Sequence, residues 1–315
     1  MTSPRRAYLW MLLGAASFSV MSFLTHRLSS TYSWQTIAVV RTAVALVLTV
    51  ALARAAGAQL VFWRPGTLWI RSFAGSVALL ANFYSMTHYP ISEVLALSNM
   101  FPLWVAVLSW PVLGEKPRLD VWLAAACGVA GVYFLQLQAG AAPQVSHVAG
   151  TIVNEVPRIV PVITAVVASL ASAVALLGLH RLHQVDARAV VAHFSGVSMF
   201  FSLIAWAALP GLSTGKGMAL DAGLALLMLG IAGTAGQLFL TKAFASGPPA
   251  QVSVVGLTQI GFAMLLESTF EQREFASTTL FGLALVIAPT AWVMTRRRGG
   301  PEQAEAEVTE PLSDV

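Results

Sequence analysis

An all-α integral membrane protein, with ten transmembrane helices arranged as two inverted five-helix repeats, is what the sequence predicts. Three observations predict it. Hydrophobic residues make up 57% of the 315-residue chain and charged residues only 10%, whereas an ordinary soluble domain is about half apolar and about a quarter charged. The few charges gather in short segments that separate long apolar runs, the pattern expected when the runs lie in lipid and the segments in water. Finally, the runs divide five and five about the middle of the chain, and an odd number per half makes the second half insert upside down relative to the first.

Each run approaches the roughly 20 residues that a bilayer core requires. The runs centre near Ala16, Ala45, Ala78, Val105, Ala126, Ala168, Met199, Gly230, Gly261 and Leu285. The first follows Arg5 and Arg6 and precedes no small-residue cleavage site with a soluble domain behind it, so it is expected to be a spanning helix and not a signal peptide. Residues 1–150 are expected to form the first repeat and 151–298 the second. Residues 299–315, with Glu302, Glu305, Glu307, Glu310 and Asp314 and no apolar run, are expected to form a disordered cytoplasmic tail.

Orientation follows from the basic residues. With the N-terminus inside, eleven of the 18 Lys and Arg residues fall in cytoplasmic segments. Arg27, Arg158, Lys216 and Arg273 fall outside, and Arg41, Arg71 and Lys242 lie within or at the ends of helices. That excess predicts cytoplasmic termini. Trp10, Trp34, Trp63, Trp69 and Trp110, near predicted helix ends, read as interfacial anchors.

An internal repeat supports the division into halves. A constant offset of 158 residues places Phe73-Ala74-Gly75-Ser76 on Ile231-Ala232-Gly233-Thr234 and Pro90 on Pro248 without a gap. The same offset sets Gly114-Glu115-Lys116 on Gln272-Arg273-Glu274 and Tyr84 on Lys242.

Asn82-Phe83-Tyr84-Ser85-Met86, Pro90-Ile91-Ser92-Glu93-Val94, Asn99-Met100-Phe101-Pro102-Leu103-Trp104, Leu113-Gly114-Glu115-Lys116 and Gly131-Val132 occur in an order and spacing that resembles the EamA-type pattern of the drug/metabolite transporter superfamily. The resemblance extends from about Ala7 to Thr295, since Ala245-Ser246-Gly247-Pro248-Pro249-Ala250 and Gly282 repeat the plan. Arg273 opposite Glu115 and Pro289 opposite Gly131 depart from it, which degrades the second Gly-Glu turn. The resemblance implies ten helices, cytoplasmic termini and a central cavity lined mainly by helices three, four, eight and nine; it implies no single substrate.

Candidate substrate-binding residues follow from polarity at membrane depth. Arg41 lies near the middle of the second run, where a charge costs roughly 2.5–3.5 kcal/mol on insertion scales, so it should face protein or a wet cavity. Thr234, Gln237 and Thr241 share one helical face, with Lys242 beside it either in the site or snorkelling to the interface. Asn82 and Tyr84, Asn99 on the face of Ser92, and Gln259 with Gln251 suit hydrogen bonding to a polar solute. Glu93 and Glu267, acids near helix ends, are either interfacially solvated or carriers of a coupling proton. Pro102 and Pro161 should bend their helices, and glycines such as Gly75 and Gly233 should allow close helix contact.

Other chemistries lack their residues. Gly215-Lys216-Gly217 is not a phosphate loop and no HExxH occurs. His180 and His183 beside Arg181 read as an interfacial basic cluster, and His88 and His193 as isolated. Cys127, the only cysteine, reads as a buried core residue. No cofactor, metal or nucleic-acid partner is expected, and no enzyme. The expected function is secondary transport, by export or exchange, of small metabolites or drug-like solutes through alternating access. A non-transporting structural or regulatory membrane protein is the alternative. The lipid bilayer and a small-molecule substrate are the expected partners, a homodimer is left open, and a bacterial cytoplasmic membrane is the expected location.

Overall fold

The computed structural model describes residues 4–63, 65–101, parts of 103–134, 147–148, 151–152, 157, 159–180, 182, 184–208, 220–246, 252 and 255–296. The expectations for Arg64, Pro102, Trp110, Gly114-Glu115-Lys116, Val132, Arg158, Arg181, His183, Gly215-Lys216-Gly217, Pro248, Gln251 and the tail lie outside those residues. Nine helices are described: α1 (Pro4–Leu28), α2 (Trp34–Ala55), α3 (Thr67–His88), α4 (Ile91–Ser98), α5 (Ile159–His180), α6 (Ala187–Ala208), α7 (Leu220–Ser246), α8 (Thr258–Phe270) and α9 (Ser277–Arg296). A two-residue antiparallel ladder, His147 opposite Ile152 and Val148 opposite Thr151, departs from helix between the halves; β-branched Val148, Thr151 and Ile152 favour extended backbone there.

Five helices are long and apolar enough to cross a membrane: residues Arg6–Leu28, Trp34–Ala55, Ile159–Leu179, Ala187–Ala208 and Asp221–Ser246. Their outward faces carry large apolar side chains, with Val47 67%, Phe200 60%, Met228 60% and Trp206 55% exposed. Such a surface is stable in hydrocarbon and not in water, so the chain is an integral membrane protein. α3 matches the others in length at 22 residues, but Arg71, Ser72, Ser76, Asn82 and Ser85 give it a polar side that faces protein.

Local chemistry sets the helix ends. Ser33 caps α2, its Oγ accepting from the Thr36 N–H at 3.3 Å, and Gly57, with φ +65°, ends that helix in the left-handed conformation glycine tolerates. Pro90 forces Tyr89 into extended backbone (φ −148°, ψ 151°), which stops α3 at His88. Within the helices, buried hydroxyls bond back one turn: Thr42 to Ala38, Thr49 to Ala45, Thr234 to Gly230 and Thr241 to Gln237. No buried hydroxyl of these four is left to lipid.

The strongest packing pairs a helix from residues 1–150 with one from residues 151–298. α1 runs along α7, α3 along α5 and α2 along α6, while α4 meets both α5 and α8. Hydroxyls tie the pairs together. Ser85 Oγ lies 2.9 Å from the Pro161 carbonyl and 2.7 Å from Thr164 Oγ1, Ser76 Oγ lies 2.9 Å from Ser198 Oγ, and Ser19 Oγ donates to the Gln259 carbonyl at 2.8 Å. Pro161 sits in the first turn of α5, where a missing N–H removes no helical bond, so it does not break its helix.

Three expectations are corrected. His88 is not isolated: its Nδ1 lies 2.7 Å from the Tyr84 carbonyl and its ring stacks on Tyr84. His193 is not isolated: its Nδ1 lies 2.8 Å from Ser72 Oγ and its ring meets the edge of Trp69 at 4.8 Å. Cys127 is half-buried and not fully enclosed, which fits its place among helix residues that also show the exposed Trp122 and Leu123.

Candidate functional site

A cavity of about 180 Å³ opens where the two sets of helices meet. α1 supplies Met11, Phe18, Met21 and Ser22; α2 supplies Arg41; α3 supplies Arg71, Gly75, Asn82, Phe83 and Met86 among others. α4 adds Leu95 and Ser98, followed by Asn99; α5 adds Ser172 and Ala175, α6 Phe194, α7 Gln237 and Leu240, and α8 Gln259. α3 and the α4 region contribute much of the wall, as the resemblance implies, but α1, α2, α5 and α6 take part as well.

Of the residues singled out in the sequence, Arg41, Asn82, Asn99, Gln237 and Gln259 line this cavity. The other three proposed substrate-binding residues are not among its lining. Tyr84 stacks on His88 at 4.4 Å and meets the edge of Trp34 at 5.8 Å. Thr241 is buried and donates to the Gln237 carbonyl at 2.8 Å. Lys242 is half-buried with its Nζ 4.8 Å from the centre of the Trp10 ring, a cation–π contact that satisfies it without a ligand.

Arg71 is the wall residue that sequence reading passed over. It lies five residues into α3, near a predicted interface, where a basic side chain can snorkel to water; yet only 3% of it is exposed. Its Nη2 donates to Gln237 Oε1 at 3.2 Å. The signal that would have found it is the one that found Arg41, a charge inside an otherwise apolar run. Arg41 is 1% exposed. Both guanidinium groups approach the Phe194 ring, with Cζ 4.3 Å from its centre for Arg71 and 5.9 Å for Arg41.

Two glycines make that arrangement fit. A Cβ at Gly75 would lie 2.8 Å from Phe194 and would collide with the Arg71 guanidinium; one at Gly233 would lie 3.0 Å from Arg41 Nε and 2.9 Å from Met21 Sδ. The 158-residue offset that placed these glycines opposite each other thus picks out the two positions against which the arginines rest. The amide wall is pinned more locally. Asn82 Nδ2 donates to the Ala78 carbonyl at 2.9 Å while its Oδ1 accepts from Ser98 Oγ at 2.5 Å, and Asn99 Nδ2 donates to the Leu95 carbonyl at 2.7 Å.

A second charged cluster lies about 12 Å farther along α8 than Gln259, at a rise of 1.5 Å per residue. Arg273 donates to both oxygens of Glu93, at 2.5 and 3.1 Å, and to Glu267 at 2.8 Å. Glu93 and Glu267 are 6% and 1% exposed at the side chain and Arg273 26%. The reading of these acids as solvated at the interface is therefore corrected: they are buried and ion-paired. The pairing depends on the turn after α8, where Gln272 takes a left-handed φ of 51° and the Arg273 N–H reaches back to the Glu267 carbonyl at 3.3 Å. Burial alone would lower the Arg273 guanidinium, but the hydrogen bonds and charge of Glu93, then Glu267, outweigh it and hold the group above its ordinary value. Among the described residues no group of three His, Cys, Asp or Glu could hold a metal ion.

Comparison with known proteins sets relatives beside this geometry. The pseudopaline exporter CntI of Pseudomonas aeruginosa strain UCBPP-PA14 is 27% identical over 292 residues, 91% of this chain and 95% of that one. Its counterpart in strain PAO1 is 33% identical over 113 residues, covering 36% and 40%. An uncharacterised transporter of Helicobacter pylori strain J99 is 25% identical over 223 residues, 70% of each chain. A solved crystal structure superposes with a TM-score of 0.64 over 94% of this chain and 100% of its own at 19% identity, a likeness of fold alone. Residues 5–137 match the model of the EamA-like transporter family, and together with the named transporters and exporters this match supports a membrane transporter.

Proposed function

We propose that the chain is a secondary transporter that exports or exchanges small metabolites or drug-like solutes by alternating access, its ten spanning helices forming two inverted repeats over residues 1–150 and 151–298 with cytoplasmic termini in a bacterial cytoplasmic membrane. The observation that carries the reading is a largely apolar cavity bearing two arginines and several amides, whose wall is drawn from both halves of the chain. A site at the interface of inverted repeats is reached from either side when one half rocks against the other. The packing supports the repeat. Numbering the α5–α9 helices as the counterparts of the first five, the partner of α1·α7 is α3·α5, that of α2·α7 is α3·α6, and α2·α6 maps on itself; each pairing is present with its counterpart. The length of alignment with an exporter supports the direction.

Alternating access also needs contacts that part. The Glu93–Arg273–Glu267 cluster joins α4 of the first half to α8 and its following turn in the second. With the N-terminus inside, it lies on the outer side of the cavity, and outward opening separates Arg273 from Glu93. Protonation of Glu93 or Glu267 weakens the same contact, which makes these acids the coupling sites of a proton-driven cycle.

Counterflow in liposomes tests the function. Vesicles holding the purified chain and loaded with one solute of a panel of amino acids, carboxylates, quaternary amines and nucleosides accumulate the labelled form of its substrate above protein-free vesicles. No counterflow of any solute would overturn transport in favour of a structural or regulatory role. Net transport insensitive to a protonophore would remove the proton-coupled part alone.

A further inference from the structure

The cavity holds two positive charges and no described negative one. Arg41 Nε and Nη1 and Arg71 Nε are buried without a hydrogen-bond partner, and the acceptor that does face them, Gln237 Oε1, is neutral and engages Arg71 alone. Phe194 offers both guanidiniums the negative face of its ring but no lone pair. The two acids singled out in the sequence, Glu93 and Glu267, are engaged by Arg273 at the other cluster. Buried charge is ordinarily paired, because an uncompensated guanidinium in a dry interior is strongly unfavourable. Among the described residues no pairing group meets them, and both arginines line the cavity, from which one can be supplied.

We propose that the cavity binds a small organic anion through Arg41 and Arg71; this rests on the transporter reading in that the bound anion is the transported solute. Guanidinium forks match the oxygens of carboxylate or phosphate, which is the shared chemistry required. Gln259 and Asn99, also in the lining, suit a hydroxyl or amine elsewhere on the molecule. A cavity of about 180 Å³ has room for a compact mono- or dicarboxylate or a small phosphate.

The test uses the purified full chain in detergent at matched ionic strength. Thermal unfolding is followed in glutamate, succinate and inorganic phosphate, and in the uncharged or cationic counterparts glutamine, succinamide and choline. Anions are expected to raise the midpoint of unfolding and the counterparts are not; a response to glutamate or succinate but not phosphate assigns carboxylate, and the reverse assigns phosphate. Arg41→Met and Arg71→Met should each raise the half-stabilising anion concentration tenfold or more, whereas Lys242→Gln, outside the cavity, leaves it unchanged. The wild-type contrast of glutamate with glutamine stands even if a variant fails to fold. Equal stabilisation by the counterparts, no stabilisation by any of the three anions, or anion binding retained in both arginine variants would overturn the inference. Counterflow separates the two readings: counterflow of a neutral or cationic solute without anion binding sinks this inference and leaves transport standing, while anion binding without counterflow sinks transport and leaves the site standing.

Discussion

Arg273 and the pair Arg41 and Arg71 are all arginines enclosed by helices, yet they are enclosed in opposite ways. Arg273 meets two carboxylates and makes three charge-assisted bonds. Arg41 and Arg71 meet an aromatic ring, one neutral amide and a cavity. A charge satisfied by protein holds structure together; a charge left unsatisfied at the wall of a cavity is an instability that a ligand can relieve. The first kind should lower stability when removed and the second should raise it, so mutation can distinguish them without any knowledge of the substrate.

The largest effect is expected at the paired cluster. Arg273→Gln leaves Glu93 and Glu267 buried and facing each other without their cation. Breaking a buried pair by removing one partner costs about 3–5 kcal/mol; since Arg273 keeps 26% of its side chain exposed, water relieves part of that and the lower end is expected. Thermal unfolding in detergent measures it. A variant as stable as the parent would show that the cluster contributes nothing to holding α4 against α8.

At the cavity the sign reverses. Arg41→Met keeps a long apolar stem over Phe194 and deletes two buried donors that lack partners, each unsatisfied group costing about 1–3 kcal/mol. The ligand-free protein should therefore unfold at a higher temperature while losing transport, the trade of stability for function expected of a binding site. If Arg41→Met instead destabilises as much as Arg273→Gln, Arg41 is a packing element and the contrast between the two regions fails.

Gly75→Ala sharpens the contrast by disturbing the arginine wall without touching a charge. The added methyl meets Phe194 at 2.8 Å and the Arg71 guanidinium, and overpacking of this kind costs about 1–3 kcal/mol. Transport should fall with a larger change in half-saturation than in maximal rate, because the arginine is displaced and not removed. An unchanged half-saturation would mean that Arg71 can move aside freely.

How much of this could be read from the chain depended on the range of the interaction. Trp34 near a helix end and the five long apolar helices were legible because hydropathy and interfacial preference act within a few residues. Arg41 was legible for the same reason, as a charge amid a purely apolar run. Arg71 was not, because depth in a bilayer depends on where the helix starts, and a shift of one turn moves a basic residue from interface to interior. The pairing of Glu93 with Arg273, 180 residues apart, and the lodging of Phe194 between two arginines are products of tertiary packing that no local pattern encodes. The 158-residue offset was the exception: it matched Gly75 with Gly233, and at both positions an added Cβ would meet an arginine.

The smallest expected effect lies at the contact between α3 and α5. Ser85 Oγ faces the Pro161 carbonyl and Thr164 Oγ1, joining α3 to α5, but it also reaches the Ala81 carbonyl on its own helix at 2.8 Å. Interhelical hydrogen bonds in membranes average about 0.6 kcal/mol because polar groups find other partners when separated. Ser85→Ala removes the hydroxyl, and the Thr164 hydroxyl keeps its bonds to the Val160 and Pro161 carbonyls, so no buried donor is stranded. Unfolding should shift by no more than about this amount and transport should be unaffected. A loss approaching that of Arg273→Gln would mean that the α3–α5 contact, and not the ion cluster, is the principal tie between the two halves.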